Sequence, residues 1–389
     1  MPLLNLLPWC RLDREYEIGD VVLRPYSLKD ELPGVNDEAT RRHVTQIVSC
    51  YRDIEGRPFG HPSVAIWKGR TALDDLTEGG EETLGEMVTI ACFASLASRD
   101  LASAGRHYSN STRFTLYRHR FERVGDFTSL AYRRRDGRVL DGRTLSELRF
   151  TAPVETSTQS DIKLDEPLAK AVVAYRDRSS EVEWGRLFNA LMWFTFGNSD
   201  SDSVSEHMEI VAHASAIQEL LNCDSRDGAF AVAVSSELRP EADLYASRSR
   251  RNKGFWNPST DTLRHEWARE LYRVRNQYAH GRTTAHGQYG WGRTEHLTLA
   301  AIAFPLLAKQ LLDRAGCYTL SLHEKASIRG FEQLLDSNFL HEPDPMEEDR
   351  RFPWDKIIDH EAFGIAFETA AEEVRTRGGS TPEPTGKTQ

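Results

Sequence analysis

The chain has 389 residues, 39% of them hydrophobic and 28% charged, with a formal net charge of -10, enough apolar material for two or three domains. Nine lysines leave 40 arginines among the 49 basic residues, so the overall acidity excludes a nucleic-acid coat but leaves room for a local basic site. Cys10, Cys50, Cys92, Cys223 and Cys317 are odd in number, dispersed and free of any C-x-x-C pair, which argues against a disulfide scaffold and for a reducing compartment.

The opening MPLLNLLPWC has no positive stretch before its apolar residues and is broken by Pro8, so it reads as a poor signal peptide. From about residue 15 to 175 the text is strand-rich. Residues 16–26 and 113–121 carry alternating or β-prone side chains, and 130–140 predict a hairpin turning on Asp136-Gly137. A helix is expected over 83–103, with loops at 56–62 and 78–80. Residues 101–150 hold eleven Arg against five acids, and Arg133, Arg134 and Arg135 beside the hairpin turn read as a solvated face, with nucleic-acid binding as the alternative.

Near Ser180 the periodicity becomes helical. Trp184, Leu187, Phe188, Leu191 and Phe194 recur at three and four residues, and a second helix around Met208, Val211, Ala212 and Leu220 is capped by Ser203 or Ser205. A third helix is expected from about 260 to 279, stopped by Gly281, and a fourth from 295 to 315, stopped by Gly316. The fold class is therefore α+β: a β-rich amino-terminal domain over 1–175, then an all-α four-helix bundle over 180–320. Residues 341–389 form an acidic tail with six basic and twelve acidic residues, a short helix at 355–374 and a disordered last dozen. The longest apolar run, 297–312, contains Pro305, Lys309 and Gln310 and is too short to span a membrane, so a cytoplasmic location is expected. Trp184, Phe188, Trp193, Phe194 and Phe196 read as core. His207 and His213, six apart, read as surface or packing residues.

The stretch that carries chemistry is YRVRNQYAHG at 272–281, closing the third helix. Arginine followed by histidine at this range of spacing also occurs at Arg113 and His119 and at Arg273 and His280, as about four chance matches would allow. Asn276 after Arg275, Gly281 after His280 and the helix end set the pair Arg275 and His280 apart. A histidine exchanges protons near neutral pH, a fixed guanidinium can fork onto phosphate oxygens, and an amide can orient either partner. On a helical wheel Asn276 and His280 share a face that Arg273 continues, while Arg275 lies about 140° from His280. Upstream, Arg248, Arg250, Arg251 and Lys253 beside Phe255 and Trp256 are candidate RNA-binding residues, with Arg273. No P-loop, G-x-G-x-x-G, H-E-x-x-H or G-x-S-x-G pattern is present in a suitable setting.

R-N-x3-H-G at a helix end of a four-helix domain resembles the R-x(4-6)-H motif of HEPN domains, in particular the Apea-like group. FTFGNSDSDSVSEHMEIVAHASAIQELL is similar to their first helical hairpin, and the resemblance covers about 180–320. It implies a metal-independent endoribonuclease that cleaves RNA through its 2′-OH, with Arg275, Asn276 and His280 as catalytic residues and with no metal or cofactor. It further implies a homodimer that lines one cleft with two motifs, and a role in anti-phage defence by abortive infection or as a toxin. Residues 1–175 would then sense a phage-derived or cellular trigger or select the RNA. The alternative is a non-catalytic HEPN bundle that binds RNA or nucleotide, or only dimerises.

Overall fold

A computed structural model describes residues 2–27, 32, 33, 35, 37–99, 109–121, 127–135, 137–152, 161–240, 243–245, 249, 251, 261–281, 289–340 and 351–378. The amino-terminal part contains β1 (Leu3–Leu7), β2 (Tyr16–Ile18), β3 (Val21–Pro25), α1 (Glu38–Val48), β4 (Tyr51–Arg52), β5 (Ser63–Trp67), α2 (Glu78–Ala97), β6 (Tyr117–Phe121), β7 (Phe127–Arg134), β8 (Gly137–Thr144) and β9 (Phe150–Thr151). Seven of the strands form one antiparallel sheet in the order β2-β3-β5-β1-β6-β7-β8, while β4 and β9 pair in parallel. The run LLNLL in β1 does not alternate because both of its faces are covered. Leu4 and Leu6 join Trp9, Val44, Ile47 and Tyr51 in one buried cluster, and Leu7 joins the larger cluster on the other side.

The expected hairpin is present, with Ala131 opposite Leu140 and Arg134 opposite Gly137; Asp136 lies outside the described residues. The β-prone run at 16–26 divides into β2 and β3 at Gly19, whose φ of +56° admits glycine, and a Cβ there would stand 2.9 Å from Met87 Sδ on α2. Only the second half of 113–121 is strand, because Ser111–Phe114 form a 3-10 turn. The loop read at 78–80 is corrected to the first turn of α2: the Thr77 hydroxyl accepts the Gly80 N–H at 3.3 Å and caps the helix.

Helix α2 ties the two halves of the molecule together. Leu84, Met87, Ile90, Ala91, Phe93 and Ala94 are all buried, an all-round apolar surface that marks a helix enclosed by neighbours. One cluster runs from Leu7, Tyr16 and Val21 on the sheet through α2 to Phe194 and Phe304, and the Phe93 ring stands edge-on to both phenylalanines at 5.8 Å.

Next come α3 (Glu166–Arg178), α4 (Glu181–Phe196), α5 (Glu206–Leu221), α6 (Asp227–Glu237), α7 (Leu263–Ala279), α8 (Arg293–Arg314) and α9 (Leu322–Asp336). Four of these match the expected helices. Ser205, not Ser203, caps α5, and Gly281 and Gly316 take the positive φ expected after α7 and α8. The additions are α3, α6 and α9. The run AFAVAV in α6 has no contrast between faces and so no helical period to read. The expected tail helix is α10 (Pro353–Gly378), packed on α9 so closely that a Cβ on Gly330 would lie 2.5 Å from Ile357 Cγ2. Its Glu361 and Glu368 pair with Arg329 of α9, so these tail carboxylates engage the neighbouring helix and not a basic stretch. The last dozen residues lie almost wholly outside the described ones. Among the described residues no helix is long and apolar enough to cross a membrane.

Candidate active site and nucleic-acid interface

Buried ionic contacts hold α7 in register before its last turn emerges. Glu332 of α9 accepts the Leu263 N–H at 2.9 Å and the Arg264 N–H at 3.3 Å, and it also receives the Arg264 guanidinium. Arg264 reaches the Ser235 carbonyl at 2.8 Å and Asp243 at 2.9 Å. Two turns along, Glu270 accepts the N–H groups of Gly290 at 2.9 Å and Trp291 at 3.0 Å, with His296 Nε2 at 3.2 Å, which seats the start of α8. Charges this deeply buried are retained only when paired.

The motif occupies the exposed end. His280 is the C-cap, its N–H bonded to the Asn276 carbonyl at 3.1 Å, and Gly281 follows with φ +65°. The His280 side chain is exposed. Half-buried Arg275 donates to Asn276 Oδ1 at 2.8 Å and lies 5.3 Å from the Tyr272 ring centre. Among the described residues no carboxylate pairs with Arg275, and its buried Nε has no acceptor. The fold therefore joins Arg275 to Asn276 and leaves the His280 imidazole hydrogen-bonded to neither, although the helical wheel sets only Arg275 on another face.

Two residues that the sequence reading did not join to the motif, His207 read as surface or packing and Arg293, meet the motif helix here. The His207 ring, in the first turn of α5, lies 4.1 Å from that of Tyr278, and its Nε2 is 3.2 Å from Arg293 Nη1 at the start of α8. Arg293 also pairs with Glu206 at 3.2 Å. The starts of α5 and α8 thus converge on the end of α7. Only position in the fold joins His207 to the motif, although its place just after the Ser205 cap marks it as belonging to a helix end.

Other candidates separate from the site. Arg251 is corrected to a structural residue: its guanidinium binds the Gly290 carbonyl at 3.3 Å, Glu295 at 2.8 Å and the Ser337 carbonyl at 2.6 Å, leaving it little reach for RNA. Arg273 is exposed and pairs with Asp227 at 2.9 Å. Arg248, Arg250, Lys253, Phe255 and Trp256 lie outside the described residues. The second motif-like pair is structural, since Arg113 is buried against the Trp9 carbonyl at 3.2 Å and His119 hydrogen-bonds the Tyr51 hydroxyl at 2.7 Å. Burial pushes the His119 imidazole down to about 3. Burial does the same to His213, a packing residue against Phe194 whose value is also about 3. Phe194 is core as expected, but Trp193 and Phe196 are exposed, their rings set edge to face on the outer side of α4.

No protein-family model, curated protein or solved structure matches this chain. The resemblance of its motif therefore stands on the residues and on their place at a helix end. Chemically, the end of α7 presents carbonyl oxygens and a partial negative charge, so any phosphate bound there needs side-chain cations. Arg275 supplies one with no competing carboxylate among the described residues, and Arg293 stands nearby across Tyr278 and His207.

Proposed function

We propose that this protein is a metal-independent endoribonuclease of the HEPN class, and that Arg275, Asn276 and His280 carry its chemistry. The observation behind this reading is an Arg275 guanidinium held by Asn276, paired with no carboxylate among the described residues, five residues before an exposed histidine at a helix end. RNA provides its own nucleophile. His280 exchanges the proton of the 2′-OH or of the 5′ leaving oxygen, and Arg275 forks onto the phosphoryl oxygens as negative charge accumulates. Bond formation from O2′ to phosphorus and departure of O5′ leave a 2′,3′-cyclic phosphate and a 5′-OH. DNA, lacking the 2′-OH, is not cut.

Within one chain His280 and Arg275 lie five residues apart, about 7.5 Å along the axis, on different faces. A two-fold dimer that sets one motif against the other brings the histidine of one subunit to the arginine of its partner and makes the contact self-complementary. In this reading the protein acts in phage defence or as a toxin, with residues 1–175 sensing the trigger. The test is RNA from cells expressing the wild type or His280→Ala, sequenced with its end groups identified. Cyclic-phosphate ends that vanish in His280→Ala support the reading. Fragments with 3′-OH ends, or equal fragments from both proteins, overturn it; RNA binding without cleavage leaves the bundle as a binding module.

A further inference from the structure

We infer that Asp261, His265 and Glu266, at the opposite end of α7 from the motif, form a binding site for one divalent transition-metal ion of the zinc type. One ligand atom from each residue converges so that all three lie within 4.8 Å of one another. The placement follows from the helix start. Thr262 is the N-cap, so Asp261 just before it and His265 one turn on face each other, and Glu266 follows in the same turn.

Two observations point to an ion. The Nδ1 of His265 is buried and has no hydrogen-bond partner among the described residues, yet it lies 3.8 Å from Asp261 Oδ1. That gap is too long for a hydrogen bond. It suits two donors that each sit about 2.0–2.2 Å from a common ion. Glu266 is 1% exposed, so its carboxylate is committed to the interior beside that of Asp261. Arg269 bonds Glu266 Oε1 and reaches Asp261 Oδ2 at 3.5 Å, an outer brace that leaves Asp261 Oδ1 on the imidazole side. One imidazole nitrogen and two carboxylates favour zinc over calcium or magnesium, which take oxygen donors alone, and a water completes the coordination.

From His265 to His280 the axis advances about 22 Å, so the ion takes no part in RNA chemistry. It staples the first turn of α7 and is independent of the ribonuclease reading.

The full-length protein is stripped with a chelator, and zinc chloride is titrated in by calorimetry, with thermal unfolding followed in parallel. The expected result is one equivalent bound, a higher unfolding temperature, and affinity at least about tenfold weaker in both His265→Gln and Asp261→Asn. His280→Ala binds zinc as the wild type does. Metal-free unfolding temperatures of the variants, matched to the wild type, show that lost uptake is not lost folding, and Asp261→Asn decides the matter if His265→Gln fails to fold. A wild type that binds no zinc, equal binding by both ligand variants, or uptake lost only in His280→Ala overturns the proposal.

Discussion

The two ends of α7 use the same residue type for opposite purposes. At the amino end and along the body, Arg264 pairs with Glu332 and Asp243, Arg269 with Glu266, and Arg273 with Asp227. At the carboxyl end Arg275 has an amide and a tyrosine ring for company and no carboxylate among the described residues. Paired guanidinium groups position a helix. A guanidinium that meets no carboxylate among the described residues keeps its charge uncompensated, which is why a count of arginines says so little about where such charge lies.

The largest effect expected at the paired end comes from Arg264→Ala. It strands the almost fully buried Glu332 carboxylate and should lower stability by about 3–5 kcal/mol in urea unfolding. At the other end, the proposed ribonuclease chemistry expects His280→Ala to cut RNA cleavage about 100- to 10,000-fold. Urea unfolding of that variant should stay within about 0.5 kcal/mol of the wild type, because the residue is exposed. A large loss of stability in His280→Ala, or a small one in Arg264→Ala, would erase the contrast between the ends.

A pH series sharpens the same contrast between buried and exposed histidines. In the unfolded chain His213 titrates near 6.5, and in the folded protein its imidazole is held near 3 by burial. Between those values the unfolded chain binds a proton that the native state refuses. The stability His213 contributes is complete above pH 6.5 and drains as pH falls towards 3, at about 1.4 kcal/mol per unit. Glu209, pushed up to about 7 by burial and then by the Asp200 carboxylate, works in the opposite direction between pH 4.5 and 7. The quantity to measure is therefore the difference between wild type and His213→Gln, whose slope should flatten by one proton over pH 6.5 to 4. Parallel curves would mean that His213 is protonated in the folded protein. The smallest effect is Gly281→Ala, which places a Cβ at φ +65° and should cost about 1 kcal/mol, read as a lower thermal midpoint.

Legibility followed contrast. The hairpin at Gly137, the helices ending before Gly281 and Gly316 and the amphipathic α4 and α5 were readable because a turn residue or a period of 3.6 marks them locally. The helix α6, with its AFAVAV run, lacks that contrast, and of α2 only the first turn, opening on Gly79 and Gly80, escaped the reading. Arg251 looked like an RNA contact because its neighbours in sequence are basic. Its neighbours in space are two carbonyls and Glu295. His207 shows the converse, unremarkable in its own helix and placed on Tyr278 by the packing of α5 against α7.

By itself the amino-acid sequence determined the α+β character, the helix end at Gly281 and the motif that closes α7, since dihedral preference and hydrophobic period act within a few residues. Only the tertiary structure decided which charges are neutralised. Whether a guanidinium meets a carboxylate depends on side chains distant in sequence, such as Glu332 for Arg264, and on the absence of one beside Arg275 among the described residues.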